Sequence, residues 1–137
     1  MTKMFINLPV ADLDASKEFY QKLGWDINPM FTDDNAACIV IKEDQLHLML
    51  LKPEFFKMFT KRTISDTQST IGATYALALD SKEEVNDITG KALQNGATEE
   101  IDEDRRKMEE EAGMYGRTFI DPNGFQWELF YMPTPTQ

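Results

Sequence analysis

The chain holds a single histidine, His47, and a single cysteine, Cys38. That scarcity removes much chemistry. Structural zinc sites, three-histidine zinc sites and the two-histidine-one-carboxylate iron triad all need more such ligands than one chain supplies. A symmetric dimer with two equivalent sites would still give each site at most one histidine. No GxSxG, GxGxxG or GxxxxGK[ST] occurs, which sets aside nucleophile-elbow hydrolases, dinucleotide-binding enzymes and P-loop NTPases. What remains is His47 in Q-L-H-L-M-L-L and Glu128 in F-Q-W-E-L-F-Y-M.

Both segments alternate as strands do. Leu46, Leu48 and Leu50 need an apolar layer, and so do Trp127 and Leu129. Parity then turns His47 and Met49 to the other face, with Gln126, Glu128 and Phe130 likewise in the second segment. A desolvated carboxylate on such a face can serve as a general base. The structural alternatives are an ion pair with Arg117 on the neighbouring strand, or plain exposure at an edge. Cys38, inside A-A-C-I-V-I, reads as a small buried hydrophobe. One cysteine forms no intrachain disulfide, which fits a reducing, cytoplasmic setting.

The elements that must position these residues follow from period and punctuation. A strand is predicted over 4–10, then a helix capped by Asp12 with Leu13, Phe19, Tyr20 and Leu23 as its stripe and Gly24 as its stop. Strands follow at 25–32 (weak, with Pro29), 36–41 and 45–51. Pro53 opens a short helix over 53–60, and 60–70 has no apolar period. The pattern then restarts. A strand at 73–80 leads through Ser81 and Glu84, a capping box, into a helix stopped by Gly96. Residues 97–111 carry eight acids and read as one exposed strand and a wet loop. Strands at 115–120 and 125–132 are joined by the turn residues Asp121-Pro122-Asn123-Gly124.

The order β-α-β-β-β therefore occurs twice. This implies an α+β fold: two βαβββ modules with curved, mainly antiparallel sheets around a cleft and helices outside. One domain over 1–137 is expected, with module one at about 1–53, a linker and short helix at about 53–71, module two at about 72–132, and a fraying tail at 133–137. The balance of 14 Lys and Arg against 24 Asp and Glu gives a net charge of −10, which opposes nucleic acid and anionic membranes and favours cationic small molecules. No apolar run approaches the ~20 residues of a membrane helix.

The segments V-x-D-L-x-x-S-x-x-F-Y-x-x-L-G (10–24) and D-P-N-G-x-x-x-E-L (121–129), set in a double βαβββ order, resemble the glyoxalase/bleomycin-resistance/extradiol-dioxygenase proteins, the vicinal oxygen chelate superfamily. Within it the chain resembles small bacterial predicted lactoylglutathione lyases. The resemblance implies a homodimer binding a small molecule in a cleft, and many members hold a divalent metal there. The family's metal positions fall on Phe5, on His47 or Met49, near Thr74, and on Glu128. Phe5 and Thr74 are not ligands a metal would select, so no metal cofactor is expected; if one binds, His47 and Glu128 hold it. The cleft residues implied are Phe5, Asn7, His47, Met49, Thr74, Gln126 and Phe130, with Glu128 as the catalytic candidate. Two functions stay open: a metal-free binder of an apolar or cationic ligand, or a glyoxalase-type lyase or isomerase using Glu128.

Overall fold

The computed structural model describes residues 1–133; the tail expected to fray at 133–137 lies almost wholly outside the described residues. The chain divides into two compact units, Met1–Asp66 and Thr67–Gln137. The first contains β1 (Met4–Pro9), α1 (Leu13–Lys22), β2 (Asp26–Asn28), a 3-10 turn (Pro29–Phe31), β3 (Ala36–Lys42), β4 (Leu46–Leu51) and α2 (Pro53–Phe56). The second contains β5 (Thr74–Ala78), α3 (Lys82–Gln94), β6 (Thr98–Glu100), α4 (Glu103–Glu111), β7 (Tyr115–Ile120) and β8 (Gln126–Tyr131).

Each unit builds a four-stranded sheet of the same design, β1-β4-β3-β2 and β5-β8-β7-β6. The first strand runs parallel to the last. The other pairings are antiparallel. The fold is α+β with two similar modules, as the patterning implies.

In the first unit Asp12 caps α1, its Oδ1 accepting from the Ala15 N–H at 3.0 Å. The helix presents Leu13, Phe19 and Tyr20 to a sheet face made by Leu8, Ile39, Leu48 and Leu50, all buried. In the second unit Ser81 caps α3, its Oγ accepting from the Glu84 N–H at 3.1 Å. Val85, Ile88 and Ala92 pack with Phe119, Trp127 and Leu129, all buried. Burying an apolar side chain of this size contributes about 1.5–3 kcal/mol, so these two layers fix which face of each sheet is left for other work.

The 121–124 turn holds the second unit together at one end. Asp121, 3% exposed, accepts through Oδ1 from the N–H groups of Asn123 (2.9 Å) and Phe125 (2.8 Å). Gly124 has φ +95°, and a Cβ there would run into the Thr67 backbone. Thr67 and Gln68 donate side-chain hydrogen bonds to the carbonyls of Asn123 and Pro122 at 2.6 and 2.7 Å. The D-P-N-G segment is thus a clamp on the start of this unit.

Residues 97–111 depart from the sequence reading. They form short β6 and then α4, a nine-residue helix, in place of a strand and wet loop. Asp102 caps α4, accepting from the Arg105 N–H at 3.1 Å. No α4 residue is buried, so no apolar stripe announces it. No helix among the described residues is long and apolar enough to cross a membrane.

Candidate functional site

In the first unit, parallel pairing sets Phe5 beside His47 and Asn7 beside Met49. All four lie on the face away from α1, because Leu48 and Leu50 occupy the other. The Phe5 ring stacks on the His47 imidazole, with centroids 4.4 Å apart and planes 12° from parallel. Phe5 is 48% exposed, whereas His47 is only 8% exposed. The His47 Nδ1 is buried with no hydrogen-bond partner, a costly state for a polar atom. His47 lines a cavity of about 590 Å³ with residues of β2, β3 and the turn before β4.

In the second unit, Thr74 pairs with Gln126, Ala76 with Glu128 and Ala78 with Phe130. They lie on the face away from α3, because Trp127 and Leu129 occupy that one. Thr74 is exposed, and Gln126, Glu128 and Phe130 are partly buried. Glu128 faces Thr118 across β7.

One residue that sequence reasoning passed over, Arg105, meets Glu128, and others hold it in place. Arg105, from α4, donates from Nη2 to Thr118 Oγ1 at 2.8 Å. Its Nη1 stands 3.7 Å from Glu128 Oε1, and its Nε 3.7 Å from Glu109 Oε1. Glu109 itself reaches over Gly116: a Cβ at Gly116 would lie 2.7 Å from Glu109 Oε2. The absent side chain at 116 therefore makes room for α4. The available signal was Asp102 as a cap with Arg105 and Glu109 spaced i,i+4.

Arg117 is not the partner of Glu128. It pairs in register with Leu129 and so turns to the α3 side. There it makes a bidentate pair with Glu99 at 2.8 and 2.9 Å and donates to Asn86 at 3.1 Å. Hydrogen bonding from Arg117 holds the Glu99 carboxyl below its ordinary range, and Glu99 in turn raises Arg117. Cys38 is fully buried and reduced; burial pushes its thiol up, which makes it a poor nucleophile.

For a divalent metal, the positions implied by the resemblance are Phe5, His47 or Met49, the neighbourhood of Thr74, and Glu128. Phe5 covers one ring face of His47, and Glu128 is already met by a guanidinium. Among the described residues no three His, Cys, Asp or Glu side chains gather closely enough to hold a metal ion.

The duplicated sheet sets the fold. The chain has the fold of the glyoxalase/bleomycin-resistance/dioxygenase proteins, the vicinal oxygen chelate superfamily. Residues 2–42 match the family model described as bleomycin resistance protein-like N-terminal. A glyoxalase-related enzyme from Fulvimarina pelagi is 17% identical, with a TM-score of 0.73 over 100% of this chain and 93% of its own. Lactoylglutathione lyase from Agrobacterium tumefaciens is 19% identical, with a TM-score of 0.63 over 95% and 92%. A bleomycin resistance determinant encoded on the transposon Tn5 is 17% identical, with a TM-score of 0.60 over 98% and 100%. No curated protein matches the chain.

Proposed function

We propose that this protein is a small-molecule binder of the glyoxalase/bleomycin-resistance fold that works without a divalent metal and takes an apolar or cationic ligand. The observation that carries the reading is the donor set. Phe5 and Thr74 stand at two of the four family metal positions, and Arg105 lies 3.7 Å from the carboxylate at a third. A guanidinium there supplies the positive charge a metal would otherwise bring to Glu128. On the open sheet face of the first unit, Phe5 and Met49 offer apolar surface and Asn7 and His47 hydrogen-bonding groups; on that of the second, Phe130 offers the one and Thr74 and Gln126 the other. The net charge of −10 favours a cation over an anion.

The same reading makes the protein a cytoplasmic homodimer. A lone buried thiol suits a reducing compartment. Met30, Phe31, Met58 and Phe59 are 54–82% exposed, and a second copy of the chain would cover such apolar surface.

Elemental analysis of the purified protein, with a thermal-shift screen using tetraphenylphosphonium and ethidium, tests the binding reading. Less than a tenth of an equivalent of tightly bound metal, with stabilisation by these cations, is expected. Zinc, nickel or iron near one per chain, with turnover of a hemithioacetal substrate, would establish the glyoxalase-type lyase instead. Sedimentation tests assembly: a mass of twice 15.8 kDa is expected at micromolar concentration, and a monomer mass would refute the dimer.

A further inference from the structure

Buried apolar side chains seat α1 and α3 on their sheets. The helix α4 buries none, and every residue in it except Met108 is charged. Its hold on the sheet is polar. Arg105 donates to Thr118 at 2.8 Å and stands 3.7 Å from Glu128, and Glu109 reaches over Gly116. Thr118 pairs with Glu128, and Gly116 with Phe130, so all four lie on the face away from α3. The helix α4 therefore covers the face on which a ligand of the second unit would meet Glu128.

Both ends of α4 are built to turn. Asp102 caps its start in an extended conformation. Gly113 follows its end at φ +75°, with nothing within 4 Å of where a Cβ would stand. Element ends of this kind absorb the dihedral changes of a hinge. Little resists the motion: ion pairs between part-exposed side chains contribute little, and segments without buried apolar contacts are the first to open. By contrast, β7 and β8 are paired on both sides and carry the buried Phe119, Trp127 and Leu129.

Opening has a chemical consequence. Arg105 is the cation that Glu128 meets in the closed chain, and a second cation at the same carboxylate would be repelled by it. Arg105 and a cationic ligand therefore exclude each other there. Lifting α4 withdraws the guanidinium and frees Thr118, which is buried in the closed chain.

We infer that α4 is an autoinhibitory lid: closed, its Arg105 occupies the cation site at Glu128 and Thr118; open, a cationic ligand takes that place. The lid rests on the cation-binding reading above and adds a gate to it. The apparent affinity is then the intrinsic affinity reduced by the fraction of chains with α4 lifted.

Titration of Asp102→Ala and Asp102→Asn with tetraphenylphosphonium tests it. Both variants lose the same negative charge, but asparagine still caps a helix and alanine does not. The alanine variant should bind the probe at least threefold more tightly than the asparagine variant, although charge alone would weaken both alike. Arg105→Gln should bind it at least threefold more tightly than Arg106→Gln, which removes the same charge from a side chain paired with Glu103. Hydrogen exchange gives an independent readout. By linkage, saturating probe should speed exchange of the 106–111 amides at least threefold in the wild-type chain, whereas a ligand bound beside a fixed helix slows it or leaves it unchanged. Equal affinities within either pair of variants, or exchange in α4 not quickened by the probe, would overturn the lid and leave the binding reading standing. If neither the wild type nor Arg105→Gln binds the probe, the binding reading falls and the lid with it.

Discussion

Replacing Glu128 by glutamine separates a functional carboxylate from a structural one. The side chain is 34% exposed, and Arg105 Nη1 lies 3.7 Å away with 28% exposure. Coulomb attraction at that distance in a medium of effective dielectric 20 is about 4.5 kcal/mol before any cost. Desolvation and solvent screening remove most of it, and pairs this exposed contribute about 0.2–1 kcal/mol net. Glutamine also leaves no stranded charge. Arg105 keeps its 2.8 Å hydrogen bond to Thr118 and its neighbour Glu109 at 3.7 Å. The expected loss is therefore under about 1 kcal/mol, or about 3–5 °C in melting temperature for a chain of this length. Tetraphenylphosphonium affinity should fall at least tenfold, because glutamine keeps the acceptor oxygen but loses the charge. Thermal melts and titration on the same preparation read both numbers. A cycle through Arg105→Gln should return a coupling of about 0.5–1 kcal/mol. A loss of several kcal/mol with probe affinity unchanged would refute the reasoning and make Glu128 a structural partner of Arg105.

Other outcomes follow from the same coordinates. Native Cys38 should react with Ellman's reagent at least a hundredfold more slowly than in denaturant, because it is fully buried in β3 and burial raises its thiol; prompt labelling of folded protein would show that β3 opens readily. Glu99→Gln should cost about 1–2 kcal/mol at pH 7, since it removes a bidentate charged pair to Arg117. The Glu99 carboxyl is lowered in the folded state, so its contribution is present above the ordinary carboxyl value of about 4.3 and is lost as pH falls through the folded value. Melts from pH 7 to pH 3 should show the gap between wild type and variant closing below about pH 4; a constant gap would refute the assignment.

The fold was legible because its signals are local and redundant. Asp12, Ser81, Gly24 and Gly96 mark helix ends that are capped or turned as expected. The alternation of 46–51 and 126–131 orients two strands without ambiguity. Residues 97–111 were illegible for a physical reason. The helix α4 buries no residue, and its attachment runs through Arg105 and Glu109 to a sheet, not through an apolar stripe. Polar anchoring leaves no hydrophobic period to read. The error spread to the site, since without α4 the only visible partner for Glu128 was Arg117. Strand register decides against it: Arg117 pairs with Leu129, not with Glu128.

The two units share one topology and differ most where a segment joins their second and third strands. In the first unit that segment contains a three-residue 3-10 turn, Pro29–Phe31. In the second it contains the nine-residue α4. The longer segment carries Arg105 onto the sheet, where it meets Thr118 and Glu128. The shorter one makes no such contact with His47, whose Nδ1 is buried without a hydrogen-bond partner. The polar group on the last strand is thus satisfied by the protein in one unit and left unsatisfied in the other. A buried acceptor without a donor is an energetic cost that folding alone does not recover. The same duplicated frame therefore carries a carboxylate met by a guanidinium in its second half and a buried imidazole nitrogen without a partner in its first.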